Sequence, residues 1–249
     1  QMVSAEQKEY AEVSAHQRIA ENNDIITDFQ TDNLMEQILH RDNLNKAYKK
    51  VKSNKGAGGV DGMSVDELLG FLKDNQEQLI QQIKDGKYKP NPVRRVEIPK
   101  ETKGEFRKLG VPTVVDRVFQ QAITQILTPI YEKQFSEDSF GFRPNRGAHD
   151  ALKQCQTNVN DGYVYVVDMD LEKFFDTVCQ SKLIEVLSRT IKDGRVISLI
   201  HKYLNAGVIS RGMFEKTEVG MPQGGPLSPL LSNIMLNELD KELTRRGHR

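Results

Sequence analysis

The sequence has no tryptophan and only two cysteines, Cys155 and Cys179, with no Cys-x-x-Cys spacing. A disulfide framework and a structural zinc cluster are therefore excluded as organising principles. No apolar run is long enough to span a bilayer, so no membrane partner is expected. Net charge is absent as well: 35 Lys+Arg against 35 Asp+Glu leave zero. That excludes a uniformly basic nucleic-acid coat but leaves room for a local basic groove. Residues 1–23 lack an apolar stretch flanked by basic residues and do not read as a signal peptide, so the expected compartment is cytoplasmic. There is no internal repeat or low-complexity tract. What remains is a chain of 249 residues, 37% hydrophobic and 28% charged, enough for one large domain or two closely packed lobes.

The balanced total hides a gradient. Residues 1–40 hold eight acids against two bases, net −6, whereas residues 84–108 hold nine bases against four acids, net +5. A positive field in so short a stretch favours a polyanionic partner. Apolar spacing predicts a helix over about 33–52, ending at the glycine-rich stretch Gly56–Gly62. Ser64-x-x-Glu67 is a capping box that opens a helix through about Lys84. Lys89-Pro90-Asn91-Pro92 breaks the chain, Val93–Ile98 reads as a strand, Gly104 turns it, and Arg107–Pro112 returns as a basic hairpin. Val118, Phe119, Ala122, Ile123, Ile126, Leu127 and Ile130 mark a core helix. A helix over 147–160, a strand Tyr163–Asp170, two helices between Leu183 and Leu204, a strand near Met213–Val219 and an amphipathic helix from Leu227 complete an α+β class.

The most informative stretch runs from Val166 to Val178, where an apolar segment ends in Asp168 and Asp170 and continues into Phe174-Phe175. Carboxylates at a strand end are costly to desolvate unless they hold a cation or find donors. Hard oxygen ligands without histidines nearby suit Mg²⁺, which takes one or two carboxylates and completes its shell with phosphates. On a strand both aspartates face one side, so periodicity does not choose between them. The Asp-x-Asp pattern of haloacid-dehalogenase phosphotransferases fails, because Glu172 stands where Thr or Val belongs. The Gly56–Gly62 stretch fails as a phosphate loop, because its spacing is wrong and no Lys-Ser/Thr follows. Lys100 and Arg107, seven residues apart across Gly104, can converge on a triphosphate, lysine as a point charge and arginine as a planar fork. Lys103 and Lys108 read as solvated surface, and Arg94 and Arg95 as candidate contacts to a nucleic-acid backbone. Gly220–Pro229 is a glycine- and proline-rich turn directly before a helix.

Six motifs occur in order: Gly59–Gly62, Ile98-Pro-Lys100, Arg107–Thr113 with Asp116-Arg117, Ser139–Pro144, Asp170–Asp176, and Gly220–Pro229. On these motifs the chain, from about Asn33 to its last residue, resembles the reverse-transcriptase domain of group II intron-encoded proteins (maturases). The resemblance implies a right-hand polymerase with fingers at 33–150 and a partial palm at 151–249, after an N-terminal extension at 1–32. It selects Asp170 as metal ligand, because the family's aromatic steric gate stands five residues later, at Phe175. Leu171 would lend its carbonyl to the same Mg²⁺. Lys100 and Arg107 would grip the incoming deoxynucleotide, Gln223 its sugar, and Gly224 would allow close approach of template and primer. Phe142 and Arg143 would shape the template pocket, with Arg94 and Arg95 on the template backbone. Asp176 would orient the backbone, and Thr177-x-x-Gln180 would cap the following helix.

The implied partners are an RNA template, a DNA or RNA primer, dNTP and intron RNA. The family's second pair of carboxylates, Tyr-x-Asp-Asp, does not occur before Arg249. The expectation is therefore a fragment truncated before the second catalytic strand, binding Mg²⁺ weakly or not at all, inactive alone, and open to forming a homodimer. The complete parent would use two ions. The alternative function is a non-catalytic splicing cofactor that grips intron RNA; a diversity-generating or defence-linked retroelement is a third reading.

Overall fold

The computed structural model describes residues 33–99, Gly104 and 106–248. They lie within one compact unit, Asp32–Arg249. The expected first helix is two: α1 (Leu34–Ile38) and α2 (Arg41–Ser53). The break falls at His40, which is extended and whose Nδ1 accepts from the Asp42 amide at 3.3 Å. Ala47 and Val51 of α2 are buried against α4 (Val114–Glu132), the central helix. Of the periodic residues, Val118, Phe119, Ala122, Ile123, Leu127 and Ile130 are buried in the core, and Ile126 is half-buried. A polar lock joins the two helices: buried Asn43 donates to the carbonyls of Ile38 (2.9 Å) and Ala122 (3.0 Å), and its own oxygen accepts from Gln125 at 2.7 Å. Two buried carbonyls and an amide are thereby satisfied together, as burial requires.

The Ser64–Glu67 pair forms as expected, with the Glu67 carboxylate accepting from the Ser64 amide (2.8 Å) and hydroxyl (2.7 Å) ahead of α3 (Leu68–Lys84). A four-stranded open sheet follows the order β2-β1-β3-β4, made of β1 (Val93–Pro99), β2 (Phe106–Val111), β3 (Val208–Ser210) and β4 (Met213–Glu215). β1 is antiparallel to β2 and parallel to β3, so the hairpin expected from the sequence is joined by a segment more than a hundred positions later. The root of the sheet is fixed by Asp116. Its carboxylate accepts from the Tyr88 hydroxyl (2.7 Å), the Thr113 hydroxyl (2.7 Å) and the Asn91 amide (3.1 Å). Burial pushes the Asp116 pKa up, and these donors oppose that shift.

α7 (Gln180–Thr190), α8 (Gly194–Leu204) and α9 (Ser228–Arg245) complete the body; α9 packs on α7 and α4. Between them, α5 (Ala148–Asn160) buries none of its residues, and the expected strand Tyr163–Asp170 is absent. Residues 163–170 run without a ladder and stay exposed, Tyr165 at 93%. The β-branched composition favours a strand, but a strand exists only where a neighbour offers its backbone, and none among the described residues pairs with this segment. A short helix, α6 (Phe174–Thr177), then enters the body. The expected Thr177 cap does not form. Its hydroxyl donates back to the Lys173 carbonyl at 3.1 Å, and Cys179 stands at the N-cap of α7, its thiol 3.2 Å from the Ser181 hydroxyl and making no capping bond. Among the described residues, no helix is long and apolar enough to cross a membrane.

Candidate active site and nucleic-acid interface

A cleft of about 410 Å³ opens between the sheet, α6 and the Gly220–Gln223 turn. Its walls include Arg95 and Lys108 from the hairpin, Phe175 and Asp176 from α6, and Lys216–Gln223. Phe175 is half-buried and meets Phe174 edge-on, with centroids 5.8 Å apart. The turn is tied to its surroundings through successive backbone groups. Met221 N–H donates to the Phe175 carbonyl at 2.7 Å and Gly220 N–H to the Val178 carbonyl at 2.8 Å. The Pro222 carbonyl accepts from the Ser228 hydroxyl at 2.6 Å, and the Gln223 carbonyl accepts from the Gly110 amide at 2.6 Å. Phe175 and Gln223 are thus held in one frame.

The register of the hairpin decides which cations reach this cleft. Paired residues share a face. Arg95↔Gly110 and Glu97↔Lys108 look toward the cleft, whereas Arg94↔Val111, Val96↔Leu109 and Ile98↔Arg107 look the other way. Arg107 therefore does not line this cleft, contrary to expectation, and Lys108, read as solvated surface, lines it instead. The sequence offers one signal for this, the two-residue step from Lys108 to Gly110, the partner of Arg95, but it becomes readable only once the register is known. Lys100 lies outside the described residues.

Other expected site residues are placed differently. Arg94 donates through Nε (3.1 Å) and Nη2 (2.8 Å) to the Gly58 carbonyl, and Arg117 donates to the Ala57 carbonyl. The two guanidinium groups hold the Gly56–Gly62 loop, so Arg94 is not free for a template backbone; burial lowers the Arg117 pKa. Arg143 is corrected outright. It is 7% exposed, pairs with both oxygens of Glu132 and donates to the Ser136 (2.5 Å) and Ser139 (2.9 Å) carbonyls. A guanidinium with every edge engaged organises the Ser136–Phe142 turn and has no fork left for a template. Phe142, by contrast, is 77% exposed at φ +55° and open to a base. The close approach at Gly224 is to the protein itself: at φ +116°, a Cβ there would stand 2.6 Å from the Gly110 oxygen.

Asp170 and Leu171 are exposed in the segment before α6 and do not line the cleft. Among the described residues, no group of three or more His, Cys, Asp or Glu side chains converges to hold a metal. The donor set nevertheless fits magnesium: one or two exposed carboxylates, no thiol or imidazole among them, and room for waters and phosphates. It does not form a closed cage.

Residues 98–248 match the model of the family described as reverse transcriptase (RNA-dependent DNA polymerase). The chain belongs to the reverse transcriptase family. Among its relatives is the group II intron-encoded protein LtrA of Lactococcus lactis subsp. cremoris, 40% identical over 225 residues, covering 90% of this chain and 37% of the relative. The putative COX1/OXI3 intron 2 protein of Saccharomyces cerevisiae is 38% identical over 204 residues, covering 80% of this chain and 23% of the relative. A solved partial Cas6-RT-Cas1–Cas2 complex shares the fold, with TM-score 0.57 at 24% identity over 85% of this chain and 35% of its own. The chain thus spans well under half the length of these curated relatives. The match supports the reverse-transcriptase reading over the haloacid-dehalogenase and phosphate-loop patterns that the sequence had already failed.

Proposed function

We propose that this chain is the nucleotide-binding part of an RNA-directed DNA polymerase of the group II intron-encoded kind, with fingers at 33–150 and palm from 151 onward. The observation that carries the proposal is the convergence of Phe175 and Gln223 on one cleft beneath a basic hairpin. In this reading the Phe175 ring sits below the sugar of the incoming nucleotide and excludes a 2′-hydroxyl, while Gln223 reads the sugar from the turn. Arg95 and Lys108 supply cationic contacts on the cleft side. Lys100 adds a further cation to the triphosphate, and Phe142 stacks on the template. Asp170, with the Leu171 carbonyl, holds Mg²⁺; magnesium bound there supplies charge neutralisation at the phosphates and a more acidic primer hydroxyl.

The reaction is attack of the primer 3′-oxygen on the α-phosphorus of a deoxynucleotide. A new P–O bond forms, the bond to the β-phosphate oxygen breaks, pyrophosphate leaves, and the hydroxyl proton passes to solvent. The chain's contribution is positioning and electrostatics, which is most of what phosphoryl transfer asks of a protein. Asp170→Ala in the full-length protein is expected to abolish primer extension on an RNA template while leaving the melting temperature unchanged, because Asp170 is exposed. Extension at the wild-type rate would remove Asp170 from the site.

A second reading is supported by the intron-encoded relatives and by the basic hairpin: the same protein grips intron RNA to assist splicing. RNA binding of that kind would weaken with salt and survive Asp170→Ala, which separates it from polymerisation.

A further inference from the structure

We propose that Gln180 is a positioning residue that sets nucleotide affinity and sugar discrimination through the Gly220 carbonyl. The inference rests on the polymerase reading above and extends it to a side chain outside the cleft. Gln180 is the first residue of α7 and only 5% exposed. Its carboxamide nitrogen donates to the Gly220 carbonyl at 2.9 Å and to the Leu204 carbonyl at 3.2 Å, so both of its N–H groups are engaged.

These two acceptors are the ends of separate segments. The Leu204 carbonyl closes α8 and also accepts from the Thr217 hydroxyl at 2.8 Å. Gly220 begins the turn that carries Gln223, and its amide donates to the Val178 carbonyl at 2.8 Å, two residues before Gln180. Phe175 lies three residues further back, with its own carbonyl bound to the Met221 amide at 2.7 Å. Gln180 thus closes a loop of contacts running Phe175, Val178, Gln180, Gly220, Met221. Of these links it alone is made by a side chain, and so it alone can be deleted without changing the backbone.

Gly220 stands at φ +79°, and a Cβ there would come within 2.7 Å of the Phe175 oxygen. A small rotation of its peptide therefore moves the gate and the glutamine relative to one another. Without the Gln180 donor two buried carbonyls lose a partner, and the Gly220 peptide can rotate to find another. A ring and a carboxamide that read one sugar are sensitive to displacements well below an ångström, and a misplacement of about 1 Å can cost roughly a hundredfold in rate.

The experiment is steady-state primer extension by the full-length protein on a primed RNA template, comparing wild type, Gln180→Met (similar shape, no donor) and Gln180→His (one donor retained). The expected result is a dNTP KM raised about tenfold in Gln180→Met at a kcat within about twofold of wild type. Its preference for dNTP over rNTP should narrow, and Gln180→His should recover most of both. Wild-type KM and sugar preference in Gln180→Met would overturn the inference while leaving the polymerase reading intact. A loss of kcat and melting temperature together, not recovered by Gln180→His, would overturn it in favour of a plain structural role. No extension by the wild-type protein would overturn the polymerase reading and this inference with it.

Discussion

Replacing Gly220 by alanine tests the frame that joins Phe175 to the Gln223 turn. Gly220 has φ +79°, and a Cβ there would lie 2.7 Å from the Phe175 oxygen, 2.8 Å from the Asp176 oxygen and 2.9 Å from the Asp176 carbonyl carbon. These are backbone atoms, so no side chain can swing away. Left-handed strain costs an alanine about 1–2 kcal/mol, and weakening the two amide bonds at Gly220 and Met221 adds about 1 kcal/mol each. The total is about 3–4 kcal/mol. A domain of this size shifts its melting temperature by about 2–4 °C per kcal/mol, giving a drop of about 6–16 °C. Gly212 is the matched control: its φ is +81°, but nothing lies within 4 Å of its virtual Cβ, so Gly212→Ala should lose only the strain, about 1–2 kcal/mol. The assay is thermal unfolding by circular dichroism paired with dNTP KM. Gly220→Ala should lose about twice as much stability as Gly212→Ala, and it alone should raise KM. Equal losses with unchanged KM would refute the contact argument.

Three further outcomes follow from the placements described. Lys108→Ala should raise dNTP KM more than Arg107→Ala if the nucleotide phosphates enter the cleft between Phe175 and the sheet; the reverse order would place them on the other face of the hairpin. Asp193→Asn should cost about 2 kcal/mol in urea unfolding near pH 7, since the carboxylate accepts from the Met35 amide (3.0 Å) and from Arg195 Nε (3.0 Å) and Nη2 (2.9 Å). Burial raises the Asp193 pKa, but the Arg195 guanidinium and the backbone donors outweigh it and hold the carboxyl below the usual aspartate range. The stability it contributes is therefore present above the ordinary aspartate pKa and lost as pH falls through the folded pKa, so the gap between wild type and Asp193→Asn should begin to narrow below about pH 4 and continue to narrow as the pH falls further.

How much of this was legible depended on whether the deciding partner was local in sequence. The core helix α4 was readable from Val118 to Ile130 because a helix carries its own hydrogen bonds and needs only one apolar face. The hairpin was readable from the Lys89–Pro92 breaker and Gly104. Its register was not, since nothing local says whether Lys108 or Arg107 shares a face with Arg95, and a one-residue slip inverts that answer. Arg143 looked like a template contact because neither Glu132 nor the carbonyls it binds announce themselves in a motif. The Tyr163–Asp170 strand failed for the opposite reason: its composition was right, but a ladder is a property of two segments. Gln180 was read as half of a local cap, whereas its partners are Leu204 and Gly220, 24 and 40 residues away. Phe175 and Gln223, which the sequence singles out, line one cleft, whereas the side chains that hold them in place carry no motif.

The most direct test of the central claim, that the Phe175 ring faces the sugar of an incoming nucleotide beside Gln223, is single-nucleotide incorporation by Phe175→Ala with dNTP and rNTP in parallel. The account predicts that rNTP incorporation rises by at least tenfold relative to dNTP while extension with dNTP continues. Sugar preference unchanged from wild type, with the variant folded and active, would contradict it.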